Sequence, residues 1–326
     1  MEQGKLPTEL LRKLVFDNIT GKNPNVIVGP EVGEDCAAVR FGEYACVLST
    51  DPITGAEAGA GTLAIHISCN DIASCGVEPI GVLLTLLVPV DGNEEDIDRV
   101  MKEAGAAAEE LNVEIMGGHT EITSAVNKMV ISTTAIGKVD IGRMITTKGA
   151  QVGDDVVMTK WAGLEGTSII ASDLAHELSN VLNEEEILSA KSLIKYISVV
   201  PEGVLAGKFG VNSMHDVTEG GILGAVWEIA ERSDTGVEIY LDKIPVLNET
   251  KKICDYYSID PYRLISSGSM LMTCREGDKL VELLNSEGIE AAIIGKVVEK
   301  ERVIISKGGE KMKLDPPGAD ELFKVV

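Results

Sequence analysis

Hydrophobic positions in the first half of the chain alternate between strand-length runs and segments with helical spacing. Helical spacing predicts amphipathic helices over 7–19, over 65–75 after a glycine- and alanine-rich loop at 55–61, and over 94–111. Asn93 is placed to cap the last of them. Short apolar runs predict strands over 37–40, 45–49, 82–88, 113–116 and 129–139. Because the 82–88 run is continuous, we expect it to be buried on both faces.

The second half begins at a turn signal, Gly153-Asp154, and repeats the mixture of helix and strand. The pattern predicts helices over 163–177, 184–197, 219–232 and 278–287, with another opening at Pro201 and with Thr218 capping the third. Strands are predicted over 156–159, 211–216, 237–241, 270–273, 291–298 and 302–306. The chain therefore reads as two α+β domains, residues 1–150 and 151–326.

Charge narrows the range of partners. The 326 residues include 52 acidic and 29 basic side chains, a net charge of −23, which argues against nucleic acid or an anionic membrane as partner. The longest uncharged apolar run, 79–90, is too short to span a bilayer, and residues 1–5 do not resemble a secretory leader. None of the six cysteines forms a C-x-x-C pair, so we expect reduced, buried thiols and a cytoplasmic protein.

The candidate chemistry rests on carboxylates that recur in one format, each at a strand end or in a glycine-rich turn. They are Asp35, Asp51, Asp71, Glu121 and Asp216. Asp71 stands out because it lies in an otherwise apolar helix, where a buried carboxylate without a partner is very costly. Either Asp71 faces water or a cation lies beside it. Oxygen-rich sites of this kind suit Mg²⁺, and a nucleotide could approach so many acids only with divalent cations present.

Other catalytic signatures are missing or ambiguous. The chain has no Walker A loop, no dinucleotide-binding fingerprint and no nucleophile elbow. His119 and His215 both lie beside glycine and acidic residues. Each is either a structural histidine or a catalytic one, and the pattern alone leaves that choice open.

Five segments taken together resemble a known superfamily. They are 33–39 (GEDCAAV), 49–51 (STD), 70–79 (NDIASCGVEP), 117–120 (GGHT) and 215–221 (HDVTEGG). They resemble the superfamily of aminoimidazole ribonucleotide synthase (PurM), the hydrogenase maturation factor HypE, thiamine-monophosphate kinase and selenophosphate synthetase. The closest overall likeness is to HypE-like proteins related to aminoimidazole ribonucleotide synthase.

The resemblance implies a PurM-like fold whose first domain pairs with a second copy into a shared barrel, followed by an α/β sandwich domain. It implies ATP in a cleft, with Mg²⁺ held by Asp35, Asp51 and Asp71. Catalytic roles fall on Asp71, His119 and Asp216. Contacts to the nucleotide fall on a further set: Asn70, Gly117, Gly118, Thr120 and Glu121.

The implied reaction uses ATP to phosphorylate, and so activate, an oxygen of a small or protein-borne acceptor. The resemblance also implies that the protein forms a homodimer and binds a maturation-protein partner. Two alternatives stay open: a small-molecule kinase of the thiamine-monophosphate type, and a non-catalytic nucleotide-binding partner. The chain departs from the family in two ways. Its last cysteine is Cys274, not a terminal residue as in HypE, and no cysteine precedes Cys36, unlike the selenium enzyme.

Overall fold

The computed structural model describes residues 6–54 and 59–326, arranged around two sheets, one in each half of the chain. Residues 1–5 lie outside the described residues, and so does the first part of the predicted loop at 55–61, which is described only from Gly59 onward. A six-stranded sheet with the order β1-β2-β3-β6-β4-β5 lies in the first half. A seven-stranded sheet with the order β13-β12-β9-β11-β7-β10-β8 lies in the second half.

Among its described residues the first half contains six strands and three α-helices, with short 3₁₀ turns between them. The strands are β1 (Val26–Val28), β2 (Ala37–Phe41), β3 (Tyr44–Ile53), β4 (Pro79–Pro89), β5 (Glu114–Thr123) and β6 (Val130–Asp140). The helices are α1 (Thr8–Leu14), α2 (Ala60–Ser74) and α3 (Glu94–Glu110). Asn93 caps α3 as expected, because its side chain accepts the Asp96 N–H at 2.8 Å.

Helices α2 and α3 cover one face of the first sheet, and their aliphatic side chains form its core. The prediction that 82–88 is buried on both faces is wrong. Val82, Leu84, Leu86 and Val88 are buried, whereas Leu83 on the opposite face is exposed. No described helix packs on that opposite face, so the sheet is open within one copy of the chain.

Strand β5 is longer than predicted, because it continues through Gly117 and Gly118. A Cβ on Gly118 would lie 1.8 Å from the Leu84 carbonyl oxygen, so only glycine lets the two strands approach. This strand forms one edge of the sheet, and most of its residues are exposed.

The second half contains seven strands and seven α-helices among the described residues. The strands are β7 (Asp155–Thr159), β8 (Ser213–Asp216), β9 (Gly236–Tyr240), β10 (Met270–Cys274), β11 (Ala291–Val298), β12 (Arg302–Ile305) and β13 (Lys311–Lys313). The helices are α4 (Leu164–Asp173), α5 (Ala175–Leu178), α6 (Glu184–Ser192), α7 (Val200–Phe209), α8 (Gly221–Arg232), α9 (Asn248–Tyr257) and α10 (Gly277–Ser286). Residues on alternate faces of the central strands enter two separate cores, so helices pack on both faces of this sheet.

Two features of this half differ from the sequence prediction. Helix α8 starts at Gly221 after Gly220, whose φ of 83° is left-handed, so Thr218 is not its cap. Helix α9 has no counterpart in the prediction, because only Thr250, Ile253 and Cys254 of its ten residues are buried.

The segment 196–199 joins the two halves through polar contacts. Asn70 of α2 donates to the Ile197 carbonyl and accepts the Val199 N–H, both at 2.8 Å. From the other side Lys160 donates to the carbonyls of Tyr196 and Ser198, at 3.0 and 2.6 Å. Its ammonium group also lies 2.5 Å from the Glu202 carboxylate, which is almost fully buried. Helix α2 of the first half is thus held in a defined position against the second half.

Candidate active site

Four aspartates from four different elements approach one another where the two halves meet. Asp35 lies in the turn before β2, Asp51 near the end of β3, Asp71 in the last turns of α2, and Asp216 at the end of β8. Asp71 and Asp216 are buried, whereas Asp35 and Asp51 are partly exposed. The apolar stretch that made Asp71 conspicuous in the sequence is the buried face of α2.

His215 lies at the centre of one half of this cluster. Its Nδ1 lies 2.9 Å from Asp35 Oδ2 and 3.9 Å from Asp216 Oδ1. Its Nε2 lies 3.0 Å from Glu228 Oε2, on helix α8. Potential metal-ligating atoms of Asp35, His215 and Asp216 all fall within 4.8 Å of one another. Three acids therefore surround one imidazole.

Asp71 and Asp51 form the other half, joined by Ser49. The Ser49 hydroxyl makes a very short contact with Asp71 Oδ2 and lies 3.4 Å from Asp51 Oδ2. Backbone contacts hold the same region together, because the Cys36 thiol donates to the Asp71 carbonyl at 3.1 Å and the Ser74 hydroxyl does so at 2.7 Å. The Ser74 hydroxyl also lies 3.4 Å from Asp35 Oδ2. This contact links the Asp71–Asp51 part of the cluster to the part around His215.

Burial has the largest effect on the pKa values of Asp35, Asp71 and His215, and neighbouring charges modify it. Burial raises the pKa of Asp35 to about 7, against the neighbouring His215, and the charge of Asp216 adds to the rise. Burial also raises the pKa of Asp71 well above its usual range, and the charges of Asp216, Asp51 and Asp35 raise it further. For His215, burial alone would lower the pKa, but Asp35, Asp216 and Glu228 raise it well above its usual value.

The arrangement fits a divalent cation. Both carboxylate oxygens of Asp216 are buried and have no hydrogen-bond partner among the described residues. Such oxygens are costly to desolvate unless a cation is bound or a proton is taken up. With Asp35 and Asp71 beside it, Asp216 offers the oxygen ligands that Mg²⁺ prefers.

The raised pKa values predict how cation binding depends on pH. In the metal-free folded protein Asp35 keeps a proton up to about pH 7, whereas unfolded aspartate releases it near pH 4. The group therefore stabilises the metal-free fold at low pH, and this contribution is lost as pH rises from about 4 to about 7. A cation must displace the same proton, so Mg²⁺ affinity should rise roughly tenfold per pH unit below about 7. Calorimetry at pH 6, 7 and 8 measures this, and a flat profile would contradict it.

Asn70 was predicted to contact the nucleotide, and the structure places it one residue before Asp71 in α2. Both polar atoms of its amide are engaged by the backbone of 197 and 199. Its observed contacts therefore join the two halves, and a nucleotide role for it remains a prediction.

The site residues predicted in the segment 117–121 (GGHTE) lie away from the aspartate cluster in a single copy of the chain. Gly117, Gly118, His119, Thr120 and Glu121 occupy edge strand β5, three strands away from β3 and its Asp51, roughly 14 Å. His119 is largely exposed and lies 3.4 Å from Glu121. One copy of the chain does not bring them to the aspartate cluster.

Two members of the cluster were not predicted from the sequence. Ser49 ends the predicted 45–49 strand and belongs to the 49–51 segment, but no role was assigned to it, although strand alternation could have placed it on the same face as Asp51. Glu228 lies thirteen residues after His215, and its role depends on how α8 packs, for which the sequence carries no local signal. The free thiols were predicted correctly in general, since all but Cys46 are buried.

Comparison with known protein families gives a consistent result. The family description "AIR synthase related protein, N-terminal domain" matches residues 33–139, and its C-terminal counterpart matches 151–307. A putative hydrogenase expression/formation protein of Methanocaldococcus jannaschii is 30% identical over 99% of this chain and 97% of its own length. The chain belongs to the AIR synthase related family. The predicted superfamily is thereby confirmed.

This AIR synthase related protein is also similar to a carbamoyl dehydratase HypE of Rhizobium leguminosarum. The two are 27% identical over 86% of this chain and 82% of the relative. These similarities place the chain in an enzyme superfamily that includes hydrogenase maturation proteins.

Solved structures share the fold. HypE in a HypE–HypF complex gives a TM-score of 0.78 at 22% identity, over 94% of this chain and 99% of that one. HypE in complex with ATP gives 0.69 at 21% identity, over 99% and 98%. A ThiL complexed with AMPPCP and TMP gives 0.76 at 23% identity, over 98% and 99%. The two-domain fold with mixed α and β content is thereby confirmed. In the described residues no helix is long and apolar enough to cross a bilayer.

Proposed function

We propose that this protein is a Mg²⁺-dependent ATP-using enzyme that phosphorylates an oxygen of an acceptor substrate and so activates it. The observation that carries the proposal is the group formed by Asp35, His215 and Asp216, whose potential ligand atoms lie within 4.8 Å of one another, with both Asp216 oxygens buried without a hydrogen bond from the described residues. The buried Asp71 carboxylate lies near enough for the charges of Asp216 and Asp35 to act on it. A cluster of this charge repels a triphosphate unless cations intervene. The similarity to a carbamoyl dehydratase HypE, 27% identical, supports the activating form of the reaction.

The residues would divide the work by position. Asp35, Asp71 and Asp216 would hold the cation. Asp51 would be linked to Asp71 by the Ser49 hydroxyl, which contacts both carboxylates. Bound Mg²⁺ supplies charge neutralisation at the transferring phosphoryl group. His215, held between Asp35 and Glu228, would keep the Asp35 carboxylate in place. The acceptor is a small molecule or a group carried by a partner protein, and the similarity to the solved HypE–HypF complex supports a protein partner.

Calorimetry of ATP binding tests the proposal directly. With Mg²⁺ present we expect binding, and with excess chelator we expect it to be lost. Undiminished affinity without metal would refute the multi-carboxylate assignment. ATP turnover assayed with thiamine monophosphate and with carboxamide acceptors then separates the kinase alternative from oxygen activation. Tight binding with no turnover in any mixture would favour a non-catalytic partner.

We further propose that the protein works as a homodimer joined through the open face of its first sheet. That face carries Leu83 and Leu87 of β4, Ile136 of the adjacent β6 and Leu48 of β3 beyond it, all at least partly exposed. Neighbouring exposed apolar side chains of this kind are typical of association sites. The edge strand with Gly117 and His119 borders the same face, so a second copy would cover the residues that one copy leaves far from its aspartates.

Leu83→Asp should therefore convert a dimer into a monomer, because it places a charge in the middle of an apolar interface. Light scattering at low micromolar concentration measures the mass. Val90→Asp is the matched control, since Val90 is also exposed but lies in the turn beyond β4. A wild-type protein that is monomeric and binds Mg²⁺·ATP normally would rule the dimer out.

A further inference from the structure

Asp35 differs from the other three aspartates of the cluster in how the backbone holds it. Asp51 lies within β3, Asp71 within α2 and Asp216 at the end of β8. Asp35 lies in a turn, two residues before β2 begins at Ala37. The hydrogen bonds of a helix or of a strand ladder therefore do not fix its position. Contacts made by side chains must decide where its carboxylate lies.

Helix α8 of the second half makes such contacts with the turn that carries Asp35. Its Glu228 lies 3.0 Å from His215 Nε2, and His215 Nδ1 lies 2.9 Å from Asp35 Oδ2. One helical turn later, Arg232 pairs with the residues just before Asp35. Side chains four positions apart lie on the same face of a helix, so one face of α8 makes both sets of contacts.

Arg232 bridges two acids of the turn. Its Nε lies 2.8 Å from Glu34 Oε1, and its Nη1 lies 2.6 Å from Glu31 Oε2. The Glu34 side chain is 3% exposed and that of Arg232 is 18% exposed, so water and salt screen this pair little. The Glu31 carbonyl accepts the Glu34 N–H at 3.3 Å, which closes the turn. Arg232 thus pairs with both ends of a turn that stops one residue before Asp35.

The backbone of the turn also lies directly against α8. A Cβ on Gly33 would lie 3.2 Å from the Glu228 Cβ, closer than ordinary van der Waals contact. Asp35 follows Gly33 by two residues, so a shift of the turn along α8 would move the Asp35 carboxylate with it.

We infer that Arg232 is a positioning residue for the cation site, which holds the turn through Glu31 and Glu34 so that the Asp35 carboxylate faces Asp216. The inference rests on the proposed function and adds to it a residue that touches neither cation nor nucleotide. Asp35 belongs to the first half and Arg232 to the second. The set of oxygen ligands is therefore complete only when the two halves are docked through this face of α8.

Calorimetry of Mg²⁺·ATP binding tests the inference. Arg232→Met keeps the aliphatic length but leaves both acids without their cation, and it should weaken the affinity about tenfold. Arg232→Lys keeps the charge without the forked guanidinium, and it should lose less. In an Asp35→Asn background Arg232→Met should add little, because the turn then carries no carboxylate to place.

Arg302→Met is the matched control. Arg302 also pairs with an acid of α8, Glu231 at 2.7 Å, and it is 23% exposed, close to the value for Arg232. Its other hydrogen bonds go to the carbonyls of Ala230 and Thr235, beyond the turn. Arg302→Met should therefore lower stability and leave Mg²⁺·ATP affinity unchanged.

Amide hydrogen exchange of the metal-free protein gives a second readout that needs no ligand. The amides of 31–36 should exchange faster in Arg232→Met than in the wild type, because the turn is then no longer held against α8. Arg302→Met should leave exchange at 31–36 as it is in the wild type.

Unchanged Mg²⁺·ATP affinity in Arg232→Met would overturn the inference. A loss of the same size in Arg302→Met would do so too, because the loss would then report stability alone. A full further loss in the Asp35→Asn background would show that Arg232 does not act through Asp35. Failure of the wild type to bind Mg²⁺·ATP would instead refute the proposed function, and equal exchange at 31–36 in all three proteins would separately overturn the role of Arg232.

Discussion

Asp71→Asn is expected to weaken Mg²⁺·ATP binding by on the order of 100-fold or more while leaving the ligand-free protein at least as stable as the wild type. Burial raises the pKa of the Asp71 carboxyl group well above its usual range, and the charges of Asp216, Asp51 and Asp35 raise it further. Its negative charge is therefore unfavourable without a cation and useful only with one. Asparagine keeps the shape of the side chain and still accepts a hydrogen bond from the Ser49 hydroxyl. The substitution therefore removes both the charge repulsion among the acids and the carboxylate that would ligate the metal.

Thermal melts with and without Mg²⁺·ATP, together with calorimetry, measure both effects. Asp98→Asn is the charge-matched control, since Asp98 is exposed on α3 and pairs with Lys102 at 2.6 Å, far from the cluster. Cys75→Ala is the packing control. It should cost on the order of 1 kcal/mol of stability and leave nucleotide affinity unchanged. If Asp71→Asn melted far lower yet kept the full ligand-induced shift, Asp71 would be a structural acid.

Lys160→Met should destabilise the fold by about 3–5 kcal/mol, because it leaves the Glu202 carboxylate buried without its cation. The Lys160 ammonium group also donates to the carbonyls of Tyr196, Ser198 and Gly268, so three further acceptors lose their donor. Methionine keeps the aliphatic length of the side chain. The loss therefore reports the charge and its hydrogen bonds, and denaturant unfolding measures it.

Lys296→Met provides the comparison, since Lys296 pairs with Asp155 at 2.7 Å but is about half exposed. An exposed pair of this kind contributes at most about 1 kcal/mol. Adding Glu202→Gln to Lys160→Met should recover part of the lost stability, because no charge is then left buried. Equal, small effects of the two lysine substitutions would mean that the Lys160 contacts are dispensable.

The sequence was informative where one residue contradicted its own surroundings. Asp71 could be predicted because a lone carboxylate in an apolar helix needs a compensating charge, and Asp35 and Asp216 because they end strands or follow glycine. Strand and helix periods likewise located most elements of both sheets. These signals are local, so a single sequence carries them.

What the sequence could not supply depends on packing between distant segments. The contact of His215 with Glu228 requires α8 to lie along β8, and that of Lys160 with Glu202 spans 42 positions. The run 82–88 was predicted to be buried on both faces because its composition is apolar throughout. Composition reports a preference for burial, and it does not report whether the covering layer belongs to the same copy of the chain.

The amide of Asn70 also bears on how tightly the site can select its cation. Because two hydrogen bonds of the neutral Asn70 amide hold α2 against the 197–199 segment of the second half, we expect the spacing between Asp71 and Asp216 to change little when an ion binds. An ion smaller or larger than the fixed gap must bind with strained coordination, whereas a site on a free hinge would close around either. We therefore expect the protein to discriminate between Mg²⁺ and the larger Ca²⁺, and to do so through the stiffness of a contact that never touches the metal.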